Sequence, residues 1–183
     1  MNLYYYTVAS LPALRPKEKS PLTLDRLLEQ ASEFLTPQDF EILQSVNLIP
    51  TDSLVPFLQS WASWERGLRG QLAQLRAQRL GQTWQAPEGS PLFGWEDLAR
   101  GALQKESPLE AEYFLDDLRW QYLDQSTWNE HFTLNWLMSY SLKLQILLRQ
   151  DRFERELGKK NLEENYLKIT SALAAGKESG ELK

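Results

Sequence analysis

The sequence contains no cysteine and a single histidine, His131. The absence of cysteine excludes disulfides, thiolate metal ligands and cysteine nucleophiles. One histidine cannot supply a multi-histidine metal site or a pair of histidine acid–base groups. The phosphate-binding signatures GxxxxGK[ST] and GxGxxG are missing, and so is the GxSxG turn of serine hydrolases. From these gaps we predict no catalytic residues, no metal site and no cofactor.

Strand signals and long apolar runs are also scarce. Only the segment 3–9 has a β-like run, and no Asn-Gly or Asp-Gly turn occurs. The most apolar stretch, 132–148, is interrupted by polar residues and falls short of the roughly 20 apolar residues that a spanning helix needs. The first residues lack the basic and apolar segments of a signal peptide. We therefore expect a cytoplasmic protein.

Acidic residues outnumber basic ones by 25 to 20, which gives a formal net charge of −5. An acidic surface repels phosphate backbones, so we do not expect nucleic acid as a partner.

Helix start and stop signals recur along the chain. At 36–39 a threonine precedes a proline and an acid follows in the first turn, and 107–110 repeats this order with a serine. Gly81 follows Leu80 where a helix end favours a left-handed residue. We predict an all-α fold, an elongated multi-helix bundle. Its helices lie near 23–35, 37–46, 53–80, 95–105, 108–124, 130–150 and 152–175, after a segment 3–10 that is helical or extended.

Two of the predicted helices differ in their apolar patterns. In 53–80 the apolar residues recur at steps of three, four or seven, which is typical of an amphipathic helix with one buried face. They are Leu54, Phe57, Leu58, Trp61, Leu68, Leu72 and Leu75. In 130–150 apolar residues occupy almost every side, which predicts a central helix with neighbours on several sides.

The main break in the helical pattern lies at 82–94, which contains two prolines and two glycines. We predict one helical domain over 1–176, with possible lobes at 1–83 and 94–176, and a flexible tail at 177–183. The two halves echo each other weakly, in their capped helix starts and their long helices. This is either a pseudo-repeat or a chance likeness between Leu-rich helices.

Titratable residues crowd two segments. The first, 110–117, holds Glu110, Glu112, Asp116 and Asp117. An acid–base or metal site there would need facing carboxylates from another helix, so we favour a solvated helix face. The mixed charges of 149–160 indicate exposed surface with ion pairs between near neighbours. For His131 we favour local packing at a helix start over a general base oriented by Glu130.

Two features are candidate contact surfaces. Tyr4, Tyr5 and Tyr6 are consecutive, so they cannot all face inward, and tyrosine is enriched at protein interfaces. Four arginines on the predicted helix 53–80 stand out from the acidic chain: Arg66, Arg69, Arg76 and Arg79. Composition favours the solvated side of the helix for these arginines, with an acidic partner as the alternative. We take the tyrosines and the arginines together as candidate partner contacts.

Several blocks of the chain resemble a bacterial family of unknown function that is encoded within V-type ATP synthase operons. Residues 4–12, Y-Y-Y-T-V-A-S-L-P, are similar to the Tyr-rich V-A-S-L-P start of that family. The block 72–81 is similar to its L-R-A-x-x-L-G segment, and 131–147 and 152–158 are similar to later parts. These blocks keep their order over most of the chain.

The resemblance implies a place in a rotary ATP synthase. Members of the family stand where the funnel subunit of the V-type central stalk is expected, an all-helical protein of pseudo-repeats that couples the central shaft to the membrane rotor ring. The segment 65–81 is similar to a stretch in the helices of that funnel, an acid followed by L-R-x-x-x-x-G. At 183 residues the chain is much shorter than a three-repeat funnel, which favours a two-repeat version or an assembly factor.

From this resemblance we expect a non-catalytic accessory or central-stalk component that couples or assembles rotor parts. Its partners would be the shaft and rotor-ring proteins of the V-type ATPase, and it would reach the membrane only through the complex. A stand-alone helical interaction module unrelated to ATP synthesis is the alternative. An enzyme using Glu110, Asp116 or Asp117 is a third hypothesis, which a deep polar pocket uniting them with His131 would favour.

Overall fold

The computed structural model of the protein describes residues 3–84 and 94–153. Within these ranges it contains seven helices and no strand, so the all-α prediction is confirmed. The helices are α1 (Leu3–Ser10), α2 (Leu24–Ser32), α3 (Pro37–Ser45), α4 (Pro56–Arg79), α5 (Glu96–Leu103), α6 (Pro108–Ser126) and α7 (Leu134–Gln150). None of these helices combines the length and the apolar character needed to cross a membrane.

The capping signals place the starts of α3 and α6 correctly. Each helix begins with the predicted proline, whose fixed φ suits the first helical position. Thr36 Oγ1 accepts a hydrogen bond from the Asp39 backbone N–H at 3.2 Å. Ser107 Oγ accepts one from the Glu110 N–H at 3.1 Å. Each cap satisfies a backbone donor that the first helical turn leaves unpaired.

Two helices begin later than predicted. α4 begins at Pro56, so Leu54 precedes it and is 95% exposed, and its assignment to the buried face is wrong. α7 begins at Leu134 rather than near 130, because Thr133 Oγ1 caps it by accepting from the Trp136 N–H at 3.2 Å. Phe132 has a φ of +56°, which no helix continuing through it would allow.

The predicted central helix, α7, packs against α2, α3 and α6 and buries side chains on several sides. The largest hydrophobic cluster joins it to all three and to α4, around Trp61, Leu123 and Leu142. A second cluster joins α4, α5 and α6 around Leu68, Ala99 and Leu115. Because α4 and α6 belong to both clusters, any polar group between them is held on a rigid scaffold.

The first 150 residues form one compact unit, and helices from both sides of the predicted break share its two clusters. Gly81 and Gly94 have φ values of +65° and +95°, which glycine adopts without steric cost. The lobes 1–83 and 94–176 and the pseudo-repeat stay predictions. Apart from residues 152 and 153, the helix predicted near 152–175 lies outside the described residues, as does the tail 177–183.

Tyr140 connects α7 to the loop that follows α1. Its hydroxyl donates to the Pro12 carbonyl at 2.8 Å, and its ring stacks on Trp136 with centroids 5.4 Å apart. Burial raises the pKa of the Tyr140 hydroxyl far above its ordinary value of 10.0. The folded protein therefore holds this proton more tightly than the unfolded chain does.

This shift predicts a loss of stability at alkaline pH. The contribution of Tyr140 is fully present below about pH 10 and is lost as the pH rises further, because the unfolded chain then releases the proton first. We expect the free energy of unfolding in urea to fall between about pH 9 and pH 11. Tyr140→Phe should fall less over the same interval. Equal falls in the two proteins would contradict the prediction.

Candidate functional site

Tyr4 turns inward from α1. Its hydroxyl donates to Asp39 Oδ2 at 2.9 Å, and its ring packs against the largest hydrophobic cluster. Burial, together with the hydrogen bond and the charge of Asp39, raises the pKa of Tyr4 above its ordinary value. Tyr4 thus fastens α1 to α3, while its contact with a partner stays a prediction.

Tyr5 and Tyr6 point outward from the same helix, with 51% and 46% of their surface exposed. The Tyr5 ring lies 5.0 Å from Phe132, and the Tyr6 ring stacks 5.9 Å from Phe34. We call these four residues the aromatic patch. The expectation that the three tyrosines do not all face inward is confirmed. Exposed tyrosine rings are typical of protein interfaces.

The four candidate arginines of α4 are exposed, but they contact different neighbours. Arg66 Nη2 pairs with Asp52 Oδ1 at 2.6 Å, in the segment before the helix. Arg79 Nη1 donates to the Leu103 carbonyl at 3.2 Å, at the end of α5. These two arginines therefore lie in separate local settings and do not continue one surface.

Arg69 and Arg76 share one side of α4. Arg69 Nε donates to Glu65 Oε1 at 2.6 Å, one turn earlier on the same helix. Arg76 makes no hydrogen bond or ion pair with any residue in 3–84 or 94–153. Both side chains line a cleft between α4, α6 and α7. They are the members of the predicted group that the structure brings together.

Glu65 is fully buried in the interface between α4 and α6. Arg119 of α6 binds it with two parallel bonds, from Nη2 to Oε1 at 2.8 Å and from Nε to Oε2 at 3.0 Å. The bond from Arg69 adds a third donor to the same carboxylate. Paired forks of this kind fix both distance and orientation, so they hold the two helices in one register.

The charged contacts continue through Asp116, whose carboxylate is also buried. Arg119 Nη1 donates to Asp116 Oδ1 at 2.9 Å, and Gln150 Nε2 donates to Oδ2 at 3.0 Å. Arg149 of α7 binds Asp116 Oδ1 as well, and its Nη2 lies 3.4 Å from Glu112 Oε2. α7 is therefore attached to α6 by charge-assisted bonds.

We call these residues the buried charge network: Glu65, Arg69, Glu112, Asp116, Arg119 and Arg149. Its three acids and three arginines balance in formal charge. Burial alone would lower the pKa of Arg119, but the hydrogen bonds and charges of Glu65 and Asp116 outweigh burial and raise it. Arg119 thus stays protonated. A paired buried charge adds little net stability, but losing one partner is costly.

The network corrects two expectations. The solvated face predicted for 110–117 is wrong for Asp116, because α6 turns this residue towards arginines on two helices. Arg149, predicted as exposed surface, is instead part of the network. Asp117 is half-buried and pairs with Lys17 at 2.7 Å, while Glu110 is exposed as expected.

The buried acids are poorly placed for proton transfer. The carboxylates of Glu65 and Asp116 both accept several hydrogen bonds from arginine or amide groups. His131 is exposed in the loop before α7. Within the described ranges, no group of three or more His, Cys, Asp or Glu side chains is arranged to hold a metal ion.

The cleft beside the network has a volume of about 320 Å³. Its walls carry four guanidinium groups and one carboxylate, over a floor of small and apolar side chains. The lining residues are Arg69, Leu72, Ala73, Arg76, Glu112, Leu115, Arg119 and Arg149. We call it the arginine cleft.

Comparison of the chain with protein-family models, with curated proteins and with solved structures finds no match in any of the three. The resemblance to the family encoded in V-type ATP synthase operons therefore stays a prediction. It depends on the residue blocks alone.

Sequence reasoning missed the buried charge network, although one signal was present. Glu65 lies on the apolar side of α4, four residues after Trp61 and three before Leu68. An acid in such a position is seldom buried without a cationic partner. Asp116 and Arg119 gave no comparable signal, because a pair three residues apart also suits an exposed helix.

Proposed function

We propose that the protein is a non-catalytic accessory or central-stalk component of a V-type ATP synthase, similar to the funnel of the central stalk, that couples or assembles rotor parts. The blocks at 4–12, 72–81, 131–147 and 152–158 support the link to the synthase. The aromatic patch carries the binding role, because Tyr5 and Tyr6 remain exposed beside Phe34 and Phe132.

A coupling component needs stiffness and a surface held in one position. The bidentate bonds between Glu65 and Arg119 resist sliding of α4 against α6, and Arg149 attaches α7 to the same network. The bond from Tyr4 to Asp39 holds α1 on the fold beneath the aromatic patch. Such a patch loses little conformational entropy when a partner binds.

Affinity purification of the intact ATP synthase, through a tag on one of its other proteins, tests the proposal. We expect this protein to co-purify in fixed stoichiometry. The variant Tyr5→Ser with Tyr6→Ser should reduce its recovery roughly tenfold, because buried tyrosines often dominate binding energy. Leu54→Ser is the matched control, since it removes an exposed apolar side chain outside the patch and should leave recovery unchanged.

Absence of the protein from the intact complex would contradict the proposal and leave the stand-alone interaction module as the better hypothesis. Full recovery of the tyrosine variant would remove the aromatic patch from the interface. Circular dichroism of each purified variant checks that the helical fold is retained.

A further inference from the structure

The arginine cleft carries one positive charge that the protein does not neutralise. The three arginines of the buried charge network are balanced by Glu65, Glu112 and Asp116. Arg76 lines the same cleft and pairs with no residue in 3–84 or 94–153. Four arginines and three acids leave a formal charge of 4 − 3 = +1. An excess charge in a concave site attracts a counter-ion.

The spacing of Arg69 and Arg76 suits a small ligand. The two residues lie seven positions apart on α4, which is about 10.5 Å along the helix axis. Ala73 lies between them on the same side, and its short side chain leaves the space between the two guanidinium groups open. Each side chain is long enough to reach an atom placed midway.

Both guanidinium groups have donors to spare. Arg69 uses its Nε on Glu65, and neither of its terminal amino groups bonds to a described residue. Arg76 has all of its N–H donors available to a ligand, on the same terms. Arg119 lies behind them, more than nine-tenths buried and fixed by Glu65 and Asp116. The positive wall is therefore organised before any ligand arrives.

We propose that the arginine cleft binds the phosphate group of a small molecule between Arg69 and Arg76. A phosphate offers three or four oxygens, so each guanidinium can donate to different ones, whereas a carboxylate offers only two. The source of the group is inorganic phosphate or a phosphate monoester. This site belongs to the isolated protein and does not depend on the proposed role in the ATP synthase.

Calorimetric titration of the full chain with inorganic phosphate, and separately with glycerol 3-phosphate, tests the site at constant ionic strength. We expect saturable binding with a dissociation constant in the millimolar range, because a single net charge provides the attraction. Arg76→Ala should weaken it roughly tenfold. Arg26→Ala, which removes an exposed arginine of α2, should leave it unchanged. Whichever compound binds more tightly identifies the source.

The absence of saturable binding of either phosphate would overturn the proposal. Equal affinities in Arg76→Ala and the unchanged protein would also overturn it. So would binding of a glutamate-rich peptide without any binding of phosphate, since the cleft would then be a site for acidic protein segments. Because Arg76 is exposed and unbonded to described residues, its replacement should not disturb the fold.

Discussion

Replacing Glu65 with glutamine is expected to lower the free energy of unfolding by about 3 kcal/mol. Glutamine keeps the shape of the side chain but removes its charge. Arg119 would then remain buried without the carboxylate that accepts its two parallel hydrogen bonds. Its charge would be left with Asp116, which it already shares with Arg149. Urea unfolding followed by far-ultraviolet circular dichroism measures the difference.

Glu41→Gln is the matched control, because it makes the same change at an exposed position of α3. Its effect should stay within about 0.5 kcal/mol. A loss at Glu65 no larger than the loss at Glu41 would show that the buried charge does not depend on its partner.

Removing both partners should cost less than removing one. In Glu65→Leu with Arg119→Met, apolar side chains of similar length replace the central ion pair, and neither leaves a bare buried charge. Asp116 keeps Arg149 and Gln150 as hydrogen-bond donors, and Arg69 can turn to solvent. If the double variant loses the sum of the two single losses, the pair is not coupled.

The helices were largely predictable, because their signals are local. A threonine or serine before a proline marks α3 and α6, and the structure shows the cap hydrogen bonds themselves. The start of α7 was misplaced because Thr133 lies among apolar and aromatic residues that continue the helical pattern upstream. The left-handed backbone at Phe132 ends that pattern, and only the fold reveals it.

The candidate site was predictable only in part. Three consecutive tyrosines must diverge around a helix, so exposure of some of them followed from the sequence. The surroundings of the arginines did not, because Arg66 and Arg79 find their contacts on other segments. The burial of Asp116 depends on Arg149, which lies 33 residues away in the chain, and helical periodicity says nothing about such a partner.

Trp61 is expected to be the most costly aromatic residue to truncate. Its side chain is 2% exposed, and its ring lies 5.8 Å from Trp64 and 6.1 Å from Tyr122 in the largest hydrophobic cluster. Trp61→Ala would lose this burial and leave a cavity that α4, α6 and α7 cannot close without moving. We expect a loss of about 3–5 kcal/mol in the free energy of unfolding.

One feature of Trp61 acts in the opposite direction. Its indole Nε1 is buried and finds no hydrogen-bond partner among the described residues, so the native side chain already bears an unmet donor worth about 1–3 kcal/mol. Trp61→Phe removes that donor and only part of the ring, and should therefore cost much less than Trp61→Ala. Trp128→Ala is the matched control, because Trp128 is 76% exposed and its loss should stay within about 0.5 kcal/mol. Equal losses at the two tryptophans, measured by urea unfolding, would mean that the cluster around Trp61 does not hold α4 against α6 and α7.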